Sequence, residues 1–223
     1  MVEIAENQRS VIASVAGASA VVYAGAHGGD LARRLGEGLR ELLQDVAARQ
    51  VMAAAGANLV DGRGVWRILL AAVGGKAARD GSTATLRAAE TDDENWLLEL
   101  QREPGTRRYA NDPAPPTAEG HRRWLARTLP DPRRKLMIVE YGGKRAGMLR
   151  LDTGAEAVRV SIAIDPEFHR LGIGPAALAL AARMLPGCVL EAEILPENGP
   201  SQDLFSAAGY RQVSATLYRR EPA

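Results

Sequence analysis

Between residues 158 and 164 apolar side chains fall on every second position (Val158, Val160, Ile162, Ile164). That period predicts a strand with one buried face. Asp165-Pro166 ends it, because proline lacks a ladder donor and pushes its predecessor out of the helical region. Gly172 and Gly174 follow, and then a helix is predicted over 175–185, with Pro175 suited to its first turn. A strand, a glycine turn and a helix N-terminus together make an anion site. Unbonded N–H groups converge there, and the helix dipole is positive.

The remaining pattern divides the chain at the Gly74-Gly75 and Asp80-Gly81 punctuation. Residues 1–78 predict a mostly helical region. It has a helix over 7–17, a short strand over 20–23, a helical stripe (Leu31, Leu35, Leu39, Leu42, Leu43, Val46), a helical stretch over 51–55 and a last helix over 61–73. Such stripes must be buried somewhere. Residues 82–220 predict a second domain. Strands are expected over 84–88, 136–139, 145–151, 158–164, 189–195 and in 210–219. The second and third join at a Gly142-Gly143 hairpin turn. Helices are expected from the Thr91/Glu94 capping box to 100, from Thr117, and over 200–207. Antiparallel strands followed by a strand–helix–strand unit predict an α+β sandwich on one mixed sheet.

Composition narrows the function. The net charge is +1 and aromatics are 4% of residues, which leaves neither an electrostatic footprint nor stacking platforms for nucleic acid. One cysteine, Cys188, forms no internal disulfide, so a reducing, cytoplasmic setting is expected. With three scattered histidines no metal site is expected. The apolar stretch 11–26 has the length of a signal sequence, but Glu3 and Glu6 outweigh Arg9, and it is too short and too rich in small residues for a membrane span.

The run PEFHRLGIGPAAL (166–178) resembles the acyl-coenzyme A pyrophosphate loop of the GNAT acetyltransferases, Gln/Arg-x-x-Gly-x-Gly/Ala. Gly172 and Gly174 match it; His169 stands at the Gln/Arg position and Arg170 where a small residue is common. Further likeness, in LRAAETDDENWLLELQREPGTRR, TAEGHRRWL, AGMLRLD and PENGPSQDLFSAAGY, is to family members that acetylate an amino-sugar nucleotide in pseudaminic acid synthesis. The resemblance implies acetyl-CoA as co-substrate and a small-molecule amine acceptor, a UDP-linked aminodeoxy sugar. It also implies that the strand at 160–164 splays from the next, with pantetheine between them. N–H groups near Ser161, Ile162, Ala163 and Ile164 then meet the thioester, and the backbone of His169, Arg170, Leu171, Gly172, Ile173 and Gly174 holds the diphosphate. Pro175 has no N–H to offer. Asn198 matches a pantetheine contact, and Ser201 either lines that arm or caps the helix that follows. Phe205 occupies the place of the usual tyrosine acid, which leaves Tyr210 or solvent to protonate the thiolate.

Glu191 and Glu193 alternate with Leu190, Ala192 and Ile194, so both project from one face of an interior strand. Two carboxylates there are costly unless that face opens onto water or a substrate. Glu193 is the expected base, with solvent exposure or ion pairing of the two as the alternative. His121, Trp124 and Ser161 are the acceptor-pocket candidates, although tryptophan is more often core. A ribosomal-type protein N-terminal acetyltransferase and a non-catalytic acyl-CoA-binding module remain the alternative functions.

The first region resembles another family. AENQRSVIASVAGASAVVYAG and LLQDVAARQVMAAAGANLVDGRGVWRIL are similar to the last part of the UDP-sugar hydrolase of the same pathway, whose Glu-Asn-Gln motif (here Glu6, Asn7, Gln8) lines a nucleotide-sugar cleft. The catalytic half has no counterpart, so no hydrolase activity is expected. A helical module that packs on its neighbour or on a second copy is the expectation.

Overall fold

The computed structural model describes residues 1–60, 64–110 and 112–222. Contacts divide the chain into two compact units, Met1–Val65 and Trp66–Ala223.

In the first unit a 3-10 turn, Glu6–Gln8, leads into α1 (Arg9–Gly17), followed by α2 (Leu31–Gln44) and α3 (Val46–Leu59). The expected strand over 20–23 does not form. The chain pairs a little later, where Ala24 donates to the Met1 carbonyl and Glu3 to that of Gly25, beside a parallel Glu3–Ala26 bridge. The stripe from Leu31 to Val46 is broken at Asp45, whose carboxylate caps α3 by accepting from the Ala48 N–H at 2.8 Å. Only half of that stripe finds cover: Leu39 and Leu43 stay 60% and 76% exposed. Within this unit, Ile12 is the single buried hydrophobic residue among the described residues.

The second unit begins at Trp66, within α4 (Gly64–Val73); the expected start of this helix at Asp61 lies outside the described residues. Trp66, Leu70 and Val73 join the core of this unit, so the division of contacts falls within the first turn of α4 and not at the 74–81 glycines. An eight-stranded mixed sheet follows, formed by β1 (Lys76–Ala77), β2 (Thr83–Ala88), β3 (Arg134–Tyr141), β4 (Lys144–Thr153), β5 (Val158–Ile164), β6 (Leu190–Glu193), β7 (Arg211–Gln212) and β8 (Leu217–Arg220). Their order is β1-β2-β3-β4-β5-β6-β8-β7, and β5–β6 is the parallel pair. Between strands lie α5 (Glu94–Arg102), α6 (Pro104–Arg108), α7 (Ala118–Thr128), α8 (Ile173–Met184) and α9 (Gly199–Ala207). This is a mixed α+β sandwich, helices on both faces of one sheet, as the element order predicts.

Alternation along the strands makes two cores. Met137, Val139, Leu149, Leu151, Val158, Val160, Leu190 and Ala192 pack with α4, α8 and α9 on one face. Leu136, Ile138 and Met148 pack with Leu97, Leu100 and Leu125 of α5 and α7 on the other. The capping box before α5 sits one residue earlier than expected: Asp93 accepts from the Glu90 N–H at 2.9 Å. Asp93, almost wholly buried, also takes two bonds from Arg87 at 2.7 and 2.8 Å, tying α5 to β2.

Candidate active site

Strands β5 and β6 pair only at Val158–Leu190 and Arg159–Glu191. Beyond that point they part, and Val160–Ile164 has no ladder partner on β6. Strand parity identifies which groups line the gap. The Val158 N–H donates toward β6, to the Val189 carbonyl, whereas the Asp165 N–H donates toward β4, to that of Ala146. N–H groups of Ile162 and Ile164 therefore face the open edge, and those of Ser161 and Ala163 face β4. Of the expected donor stretch, Ser161 and Ala163 are thus already committed to the ladder.

The chain then turns through a short 3-10 segment, Pro166–Phe168, into the glycine loop. Arg170 and Gly172 both take positive φ, +65° and +83°. For Gly172 this is costless, whereas Arg170 is held in a conformation that side chains avoid. The result is a run of backbone donors. Among the described residues, the N–H groups of Arg170, Leu171, Gly172, Ile173 and Gly174 find no hydrogen-bond partner. They lie at the N-terminus of α8, where the dipole adds positive potential. Gly174 has a second reason to lack a side chain, since a Cβ there would stand 3.1 Å from a methyl of Leu204 in α9. The His169 Nε2 lies 2.9 Å from the Ile164 carbonyl, so this ring ties the loop to the end of β5.

Past the end of β6, Asn198 caps α9 by accepting from the Ser201 N–H at 3.2 Å. The cap is therefore Asn198 and not Ser201, because the helix begins at Gly199. The amide NH₂ of Asn198 is left over. Phe205 is buried and meets the Tyr210 ring edge-on, centroids 4.9 Å apart. Tyr210 is 3% exposed, and its hydroxyl has no partner among the described residues. Burial pushes this hydroxyl up to about 12, against a smaller downward pull from Arg220. The two glutamates of β6 are both ion-paired. Arg219 donates twice to Glu191, at 2.6 and 2.9 Å, and Arg159 stands 3.4 Å from Glu193. Glu191 is thereby half-buried and doubly bonded, while Glu193 is exposed at the end of β6, beside the gap.

An acetyltransferase (GNAT) domain model matches residues 84–211, more than half of the chain. The chain belongs to the GNAT acetyltransferases. Solved structures agree with the fold. An acetyltransferase from Thermus thermophilus is 26% identical with a TM-score of 0.56, over 61% of this chain and 96% of its own. The GNAT domain of S. lividans PAT is 23% identical with a TM-score of 0.53, over 65% and 93%. Spermidine N-acetyltransferase from Vibrio cholerae, solved with CoA and spermine, is 17% identical with a TM-score of 0.52, over 61% and 92%. No curated protein matches the chain.

On the GNAT sheet, the face under α5 and α7 carries the other candidates. Register puts Arg150 opposite Ser161, Asp152 opposite Arg159, and Glu191 opposite both Arg159 and Arg219, all on that face. Ser161 thus lies on the face under α5 and α7. His121 is 3% exposed and packs on Trp124 with ring centroids 5.2 Å apart. Burial lowers its pKa, opposed by the Glu94 carboxylate, and its Nε2 has no partner among the described residues. This pair is core between α5 and α7 more than an open pocket floor. Sequence reasoning missed Arg107 and Gln101. Arg107 donates to Gln101 at 2.7 Å, and Gln101 reaches the Met148 sulfur at 3.1 Å, opposite Ala163 of β5. Only the helix-to-sheet packing brings them there.

In the first unit Glu6, Asn7 and Gln8 are exposed, with the Gln8 side chain accepting from the Ile4 N–H at 3.0 Å. A cleft of about 620 Å³ in that unit is lined by other residues, among them Tyr23, Arg34, Leu35 and Met52. Among the described residues, no helix is long and apolar enough to cross a membrane.

Proposed function

We propose that this GNAT chain transfers the acetyl group of acetyl-CoA to the primary amine of a UDP-linked aminodeoxy sugar, by direct attack. The single observation that carries the acetyl-CoA part is the run of five unbonded amides, Arg170 to Gly174, next to a strand gap. Diphosphate oxygens satisfy those donors, and the pantetheine arm follows the gap toward the spare amide of Asn198 that the family resemblance assigns to it.

The chemistry then has three parts. The Ile162 N–H, on the open edge, donates to the thioester oxygen as charge develops there. Glu193 takes the amine proton through a water, since its carboxylate stands at the end of β6, beside the gap, and one Arg159 contact leaves lone pairs free. Glu191 serves structure, being held twice by Arg219. No side chain protonates the leaving sulfur. Tyr210 keeps its proton but is enclosed, and a thiol with a pKa of about 8.5 leaves readily as its thiolate.

An anionic acceptor fits this sheet face better than a polyamine. The face's carboxylates, Asp152, Glu191 and Glu193, are each matched by an arginine. Arg107 and Arg108 of α6, by contrast, have no carboxylate partner among the described residues. The lone Cys188 fits work in a reducing compartment such as the cytoplasm.

Release of free thiol, followed with acetyl-CoA and each of a UDP-aminosugar, spermidine and a ribosomal-type N-terminal peptide, tests the reading. Turnover is expected with the nucleotide sugar, and Glu193→Gln is expected to lower kcat about 10²- to 10⁴-fold. Faster turnover of the peptide would replace the acceptor. CoA binding without turnover of any amine would make this a binding module.

A further inference from the structure

The loop that carries the unbonded amides has a neighbour from outside the family-matched segment. Residues 78–82 form a tight turn between β1 and β2, closed by Ala78 to Ser82 at 2.8 Å and Gly81 to Ala78 at 3.2 Å. That turn is pinned twice. The Asp80 carboxylate accepts from the Tyr141 hydroxyl and from the Ser82 N–H, and the Arg79 N–H donates to the Leu171 carbonyl at 2.9 Å. Tyr141 in turn meets Phe168, just before the loop, edge-on at 6.2 Å. Arg79 is therefore fixed against the loop and does not dangle over it.

Its side chain lies where a ligand phosphate would be felt. A Cβ on Gly172 would stand 2.9 Å from the Arg79 Cγ, so the arginine stem crosses directly over that glycine. One guanidinium nitrogen reaches the Arg170 carbonyl at 3.4 Å. The charge is otherwise unspent, for Asp80 is occupied by Tyr141 and Ser82, and no carboxylate among the described residues pairs with Arg79. Within the loop, the position at which the motif carries Gln or Arg is His169, and its Nε2 is engaged with Ile164.

We propose that Arg79 is a diphosphate ligand of this acetyltransferase, supplying from the β1–β2 turn the cationic contact that His169 does not. The inference rests on the acetyl-CoA reading above. A guanidinium fork beside a row of amides suits two adjacent phosphate groups, which share charge over several oxygens.

Titration calorimetry of the full chain with coenzyme A tests it, beside competition by pantetheine, which lacks the diphosphate. Arg79→Ala is expected to weaken CoA about ten- to hundredfold and to leave pantetheine unmoved. Arg79→Lys should fall between, keeping charge and losing the fork. In turnover, the KM for acetyl-CoA should rise with kcat held within about twofold. Arg79→Gln keeps the stem over Gly172 and decides the matter in the same way should the alanine variant fail to fold. Unchanged CoA affinity in these variants overturns the proposal and leaves the transferase reading standing. Equal weakening of CoA and pantetheine overturns it too, reducing Arg79 to a prop for the loop. A native chain that binds no CoA overturns both readings.

Discussion

The imidazole Nε2 of His169 stands 2.9 Å from the carbonyl oxygen of Ile164, the last residue of β5. This contact joins the glycine loop to the strand whose open edge borders the gap. On the proposed reading, this contact sets the distance between the two halves of the acetyl-CoA site, one for diphosphate and one for thioester. Removing the ring with His169→Ala should raise the KM for acetyl-CoA about two- to tenfold, the worth of one neutral hydrogen bond, and leave kcat within about twofold. Steady-state kinetics checks it; an unmoved KM would show that the tether is idle.

Gly174 packs without a side chain against Leu204, a Cβ there standing 3.1 and 3.3 Å from its two methyls. Gly174→Val drives two further methyls into the α8–α9 contact. A loss of about 1–3 kcal/mol in urea unfolding is expected, the usual cost of overpacking. No shift in the midpoint would mean that the two helices part freely.

Tyr210 supplies a buried hydroxyl with no partner among the described residues, which is a burden on folding. Tyr210→Phe should therefore keep kcat within about twofold and add about 1 kcal/mol of stability. A fall in kcat of a hundredfold or more would instead assign the thiolate's proton to this residue and would require the α9–β7 corner to open during turnover.

His121 is held neutral by burial, with a folded pKa below its ordinary 6.5. The unfolded chain therefore binds the proton first as pH falls. Stability that is complete above about pH 6.5 should drain away below it, until the folded pKa is passed. Urea midpoints between pH 7 and pH 5 should drop in the native chain and drop less in His121→Phe. Parallel slopes for the two would remove His121 as the source.

Much of the site was legible along the chain. Strand β5, Asp165-Pro166, the two glycines and the helix after them are local features, governed by period-two alternation, proline's missing donor and the left-handed turn at Gly172. Legibility stopped where spacing along the chain says nothing about distance. Glu191 and Glu193 read as paired carboxylates on one face, Glu193 as the expected base, but their ion pairs were not legible. Their difference arises from Arg219, which grips the first twice, and Arg159, which touches the second once. The stripe in α2 read as buried, yet Leu39 and Leu43 remain exposed, because amphipathicity states a need for cover and cannot supply the covering layer.

By itself the amino-acid order carried the resemblance to the GNAT family in its motifs, and it determined the strand, glycine turn and helix that make the loop of unbonded amides, since those follow from contacts between residues close in the chain. Tertiary structure alone decided that β5 and β6 part after Arg159, that Tyr210 is enclosed, and that Arg79 lies over Gly172. Those outcomes depend on pairings between segments far apart in the chain, as with Arg79 and Leu171. Such pairings are set by which surfaces bury the most apolar area together, a property of the whole chain and of no single stretch.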